Sequence, residues 1–148
     1  MGDQELRPRD NLVTSQFGEK GLDSLKVWQQ SILFAKEICL QVLTILPAQE
    51  KWSLEVQLRR SAQRIPANLA EGYGRYYYAD SVRFCYIARG SLEETYSHLK
   101  LAGELGYLPA DDFTRLEQDI NELRRLINGY ISYLKRSRRG ETEPGADR

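Results

Sequence analysis

The stretch QLRRSAQRIPANLAEGYGR, residues 57–75, decides how the chain is read. Leu58, Ser61 or Ala62, Ile65 and Leu69 recur at steps of three and four, the spacing that lines one face of an α-helix. With Leu54 they form the core stripe of a helix that begins between Gln49 and Leu54 and runs to about Gly72. Pro66 stands inside it. A proline has no amide hydrogen, so the carbonyl of Ala62 loses its usual partner, and an interior proline costs about 3 kcal/mol. The pattern therefore predicts a kink, or a break into two shorter segments. Beside the core stripe runs a polar one, Gln57, Arg60, Arg64, Asn68, Glu71 and Arg75, also at steps of three or four.

Toward the N-terminus, Leu25, Trp28, Ile32, Ala35, Cys39, Val42 and Leu46 form a heptad stripe, and Asp23 or Ser24 is placed to cap the helix that carries it. Val27, Phe34, Ile38 and Ile45 add a second apolar face, wider than a lone bundle needs, which hints at burial against another subunit. Pro47 ends this helix. Toward the C-terminus, a third helix is expected from Asp80 or Ser81 to about Gly106, with Val82, Cys85, Leu92, Tyr96, Leu99 and Gly103 on one stripe. A second stripe of small residues, Ala88, Ser91, Thr95 and Ala102, lets another helix approach. Gly90 costs roughly 1 kcal/mol relative to alanine in a helix, and close packing is one reason to tolerate it. After the break at residues 106–109, Pro109 suits a first helical position. Phe113, Leu116, Ile120, Leu123, Ile127, Tyr130 and Leu134 then line a fourth helix that ends near Ser137.

No segment reads as a strand. Four helices with short connections predict an all-α fold, an antiparallel up-and-down four-helix bundle over residues 23–137. Residues 1–22 read as a flexible arm and residues 138–148 as a disordered tail.

At 148 residues the chain is one domain in size. It is 41% hydrophobic and 28% charged, with Lys plus Arg balancing Asp plus Glu. Neutrality argues against a surface that is basic all over, as a dedicated nucleic-acid binder usually has. The two cysteines, Cys39 and Cys85, fall on apolar positions and read as buried reduced thiols. With no membrane-length apolar run and no apolar signal core, the expected location is the cytoplasm.

Several chemistries fail on ligand count. A di-iron bundle needs several inward glutamates and two Glu-x-x-His pairs, but His98 is the one histidine, with Thr95 three residues before it. No nucleophile elbow and no phosphate-binding glycine loop is present. The expectation is no enzyme, no metal and no cofactor.

The polar stripe admits three readings. In the first, it is a solvated face with i,i+4 pairs worth a few tenths of a kcal/mol each. In the second, it is a buried network at a helix or subunit junction, pairing Arg60 with Glu94 and setting Asn68 against the carbonyl freed by Pro66. In the third, Gln57, Arg60, Asn68, Glu71 and Glu94 bind a ligand or RNA. On the third helix Arg83, Gly90, Glu94 and Ser97 form a comparable line. Tyr73, Tyr76, Tyr77 and Tyr78 surround Arg75. Such rings stack bases and more commonly cover the end of a bundle. Lys135, Arg136, Arg138 and Arg139 close the fourth helix, as its dipole favours; with Arg59, Arg60, Arg64 and Arg75 they are the candidates for touching nucleic acid.

QLRRSAQRIPANLAEG resembles the signature of the four-helix-bundle proteins encoded in intervening sequences of bacterial 23S ribosomal RNA genes. LKVWQ (residues 25–29), IARGSLEE (87–94) and LGYL (105–108) look like the family's first-helix opening, third-helix signature and third turn. The resemblance implies a homopentameric antiparallel bundle with no known enzymatic activity. It also implies kinship with the accessory variability determinant of diversity-generating retroelements, a basic pentamer that partners a reverse transcriptase and binds nucleic acid. The family's polar positions carry over onto Gln57, Arg60, Asn68, Glu71, Gly90, Ser91 and Glu94. The chain departs from the family at Arg64, where a small residue is usual, at Thr95, where an apolar one is, and in its neutral charge. Two functions are thus expected: a self-associating scaffold or adaptor, with other copies of itself as partner, or an accessory protein that binds RNA or DNA or joins a nucleic-acid-processing protein.

Overall fold

A computed structural model describes residues 17–141. Most of the N-terminal arm and the end of the C-terminal tail expected above lie outside the described residues. Within them the fold is all-α, with four long helices and no strand: α1 Lys26–Glu37, α2 Leu54–Tyr73, α3 Tyr78–Glu104 and α4 Ala110–Ser137. Each helix packs against the next, α1 also meets α4, and α2 with α3 is the most extensive pair. One core runs through all four, including Phe34, Ile38, Leu58, Ile65, Leu69, Leu92, Leu99, Leu116, Ile120 and Ile127.

The first helix differs from its sequence pattern in two respects. Neither Asp23 nor Ser24 caps it. Leu25 is the residue before the first turn and has no side-chain cap, because Ser24 lies in a short 3-10 turn and donates its hydroxyl to the Gly21 carbonyl at 2.7 Å. The buried face is also rotated. Val27, Ser31, Phe34, Ala35, Glu37 and Ile38 face the core, whereas Leu25, Trp28 and Cys39 of the predicted stripe are half-buried at its edge. Beyond Glu37 the backbone widens into a π-turn, Ile38–Val42, and then tightens into a 3-10 turn, Leu43–Ile45. Ile38 and Val42, at the two ends of the π-turn, are both fully buried.

The second helix corrects another expectation. α2 continues unbroken through Pro66. Pro66 is itself buried, and Ala62, Ile65 and Leu69 around it have no exposed surface. Core packing on both sides of the missing hydrogen bond holds the helix together where local propensity alone favours a break. At the start of α2, Glu50 accepts from Ser53 Oγ at 2.9 Å and from the Leu54 amide at 3.3 Å. At its end, Gly72 lets α3 come close: a Cβ there would lie 3.0 Å from both the Ser81 carbonyl oxygen and Phe84 Cβ. With Ser61 meeting Thr95 midway along, α2 and α3 run antiparallel.

Candidate functional site

The polar stripe of α2 faces outward along the seam with α3. Core residues at 58, 61, 65, 69 and 72 fix the rotation of the helix, so the positions one step round look across the seam. There Gln57, Arg60, Gln63, Arg64 and Ala67 meet Glu94 of α3 around a groove of about 400 Å³. The groove thus gathers Gln57, Arg60, Arg64 and Glu94, whereas Asn68 and Glu71 do not line it.

The pairings inside the stripe are local. Arg60 does not pair with Glu94, whose carboxylate lies 3.4 Å from His98 Nε2 one turn along α3. Asn68 Nδ2 donates to the Arg64 carbonyl at 2.8 Å and not to the carbonyl of Ala62 freed by Pro66, because a side chain four residues on reaches back to its own i−4 carbonyl most directly. Glu71 holds Arg75 at 2.7 Å, and Glu55 stands 3.7 Å from Arg59. No described residue pairs with the side chain of Arg60 or Arg64. Two free guanidiniums one turn apart, flanked by two carboxamides, present donors in excess of acceptors, an arrangement that suits an anion.

The tyrosines occupy the end of the molecule where the α2–α3 turn meets the last turn of α4. Tyr73, Tyr76 and Tyr78 gather there with Tyr130 and Tyr133 of α4 around a hollow of about 230 Å³. Arg139 stacks over Tyr76 at 5.0 Å, and its carbonyl accepts from the Tyr78 amide at 2.9 Å. Along the same helix Lys135 lies over Tyr86 at 5.5 Å, Arg138 pairs with Glu141 at 3.3 Å, and Arg136 is exposed. Tyr78 and Tyr130 pack on the core as a cover, and burial pushes the Tyr130 phenol up to about 12.

Two polar clusters were not found by pattern. Glu37 of α1 is fully buried and forms an ion pair with Arg115 of α4, which also lies 3.8 Å from the mostly buried Asp112. The available signal was an acid inside the apolar run FAKEICLQV, with its partner nearly eighty positions away. Between α2 and α3, Thr95 donates to Ser61 Oγ at 2.8 Å inside the core. Among the described residues no group of His, Cys, Asp or Glu is arranged to hold a metal, and no helix is long and apolar enough to cross a membrane.

Four helices around one core, with a polar groove on the α2–α3 seam and tyrosines at one end, define an all-α helical protein without a metal or membrane module among the described residues. Residues 23–129 match the family model of the 23S rRNA-intervening sequence protein, and the chain belongs to that family. It is similar to a crystal structure from Bacteroides thetaiotaomicron VPI-5482, a protein of unknown function from the S23 ribosomal protein family. The TM-score is 0.66 at 25% identity, covering 71% of this chain and 97% of that one. No curated protein matches the chain.

Proposed function

We propose that the protein is a non-enzymatic, self-associating up-and-down four-helix bundle of the cytoplasm that serves as a scaffold or adaptor. One observation carries this reading. At 3.6 residues per turn, Ile87, Gly90, Glu94 and Leu101 fall on one outward line of α3, which Leu105, the residue just past its end, continues. Ile87, Leu101 and Leu105 are 45%, 49% and 50% exposed. Nothing lies within 4 Å of where a Gly90 Cβ would be. A mid-helix glycine carries a helix-propensity cost that no internal neighbour here explains, whereas a second backbone approaching from outside would. The family resemblance sets the expected number of copies at five. Native mass spectrometry and light scattering test this; a stable monomer at micromolar concentration overturns it.

A second reading, a nucleic-acid-binding accessory protein, is favoured by Arg60 and Arg64, which line the groove without an ion-pair partner among the described residues, the Glu94 carboxylate there being turned to His98. Phosphate binding at those guanidiniums releases counterions and weakens steeply with salt. A gel shift with structured RNA at low salt that disappears on raising the salt supports it, and no shift at low salt removes it.

A further inference from the structure

We infer that the tyrosine-lined hollow at the α2–α3 end of the bundle binds a single unpaired nucleotide, its base against the rings and its phosphate at Arg75 and Arg139. The inference rests on the nucleic-acid reading and assigns it a place apart from the α2–α3 groove.

The rings exceed what a cover needs. Tyr78 and Tyr130 already pack on the core, yet Tyr73, Tyr76 and Tyr133 line the same hollow while 41%, 45% and 57% exposed. Large aromatic faces left in water beside a concave site mark a surface that takes a ligand. The rings are also held in order. Tyr130 and Tyr133 lie nearly parallel, 16° apart with centroids at 6.3 Å, and Tyr76 is held by Arg139 over its ring and by a T-shaped contact with Tyr77 at 5.2 Å.

Charge selects among the ligands that such rings accept. Aromatic cages bind quaternary ammonium groups as readily as planar bases. Here the charged lining residues are Arg75 and Arg139; Arg75 is shared with Glu71 at 2.7 Å, so Arg139 supplies the uncompensated positive charge, which disfavours a cation and favours an anion, and Arg75 adds donors. Arg75 also stacks on Phe84 at 5.0 Å and reaches Glu71, which leaves its guanidinium held at the rim. A π-face plus a phosphate-binding rim is the chemistry of a nucleotide. The volume, about 230 Å³, falls below the roughly 300–1,000 Å³ of drug-sized sites and suits one base.

The test is fluorescence anisotropy of a fluorescein-labelled oligoadenylate at low salt, with AMP and a duplex of equal length as competitors. The single strand is expected to bind more tightly than the duplex. Tyr133→Leu and Tyr76→Leu are each expected to weaken it about tenfold, the effect of losing one stacking ring, with circular dichroism showing an intact fold. Competition by AMP identifies a base with one phosphate as a sufficient ligand; competition by the unlabelled strand alone identifies the strand as the source. Unchanged affinity in both tyrosine variants overturns the inference. If Arg60→Gln and Arg64→Gln abolish binding while the tyrosine variants do not, the hollow is excluded and the nucleic-acid reading survives. If neither strand nor duplex binds at low salt, both fail together.

Discussion

Glu37 of α1 is fully buried, and its carboxylate meets the guanidinium of Arg115 on α4. This pair joins the first and last helices of the chain just before the π-turn at Ile38–Val42. Glu37 is desolvated, whereas the Arg115 side chain keeps 29% of its surface and also lies near Asp112, so removing Arg115 strands a buried carboxylate, at about 3–5 kcal/mol, while removing Glu37 leaves Arg115 with water and Asp112. Arg115→Ala is expected to lower unfolding free energy by about that amount in urea titrations, and Glu37→Ala by less, because Arg115 is partly exposed. The paired replacement Glu37→Leu with Arg115→Met is expected to recover most of the loss, since an apolar pair of similar volume avoids the desolvation cost. A double variant as unstable as the two single losses added together would show that the charges have no such mutual role.

Thr95 Oγ1 and Ser61 Oγ lie 2.8 Å apart inside the core; Thr95 donates to Ser61, which donates to the Leu58 carbonyl at 3.2 Å, and the Ser91 carbonyl, 2.8 Å from Thr95 Oγ1, is the alternative acceptor for the same Thr95 proton. Thr95→Val deletes a donor and leaves Ser61 its backbone acceptor, so a loss of about 1 kcal/mol is expected. Adding Ser61→Ala to Thr95→Val is expected to cost little more, because both polar groups are then gone. A double-mutant cycle by thermal or urea unfolding measures this coupling; strict additivity of the two losses would contradict it.

The four helices were legible because each carries a run of apolar residues at steps of three and four, and the family signature lies on the second of them. What periodicity could not choose was between two apolar faces of one helix. On α1, Trp28 and Cys39 were as good a stripe as Val27, Phe34 and Ile38, and the choice depends on how the other three helices pack against it, which the sequence of α1 alone does not contain. The second helix does not break into two segments at Pro66, for a related reason. The local rule counts the lost hydrogen bond, while the buried Ala62, Ile65 and Leu69 that keep the helix continuous through it belong to the tertiary structure. In the groove, spacing put Gln57, Arg60 and Arg64 on one line, but the partners of Asn68 and Glu94 depend on rotamers, which spacing does not encode. The hollow was half visible: Tyr73, Tyr76 and Tyr78 are adjacent in sequence, whereas Tyr130 and Tyr133 reach it only through the fold.

Gly90 separates the stability of one copy from the association of several. No atom stands within 4 Å of a Cβ built there, so Gly90→Ala is free of internal clash and gains helix propensity, about 1 kcal/mol. If a second copy approaches at this point, Gly90→Leu is expected to lower the mass measured by light scattering while leaving the circular dichroism helical. Ile87→Glu, at a position 45% exposed, is expected to do the same by placing a charge in the contact. Unchanged mass in both variants would move the contact off this line of α3.

Alkaline pH provides a test of the core itself. Burial pushes the Cys85 thiol from 9.0 up to about 11. Burial, followed by the nearby Cys85 and tyrosine charges, pushes Tyr130 from 10.0 up to about 12. Near pH 10 the unfolded chain has released the Cys85 proton and the folded chain retains it. The unfolded state then binds fewer protons, so stability falls as pH rises. The contribution is whole below the unfolded value of 9.0 and is lost by about 11 for Cys85; for Tyr130 the corresponding window opens at 10.0 and closes near 12. For Cys85 the full effect is about 2–3 kcal/mol. Urea unfolding in steps from neutral pH upward should show a plateau and then a decline, and Cys85→Ala should be slightly less stable at neutral pH yet decline less steeply between 9.0 and about 11. Parallel declines in the two proteins would mean that Cys85 ionises as freely in the folded chain as in the unfolded one, against its complete burial between α3 and the rest of the core.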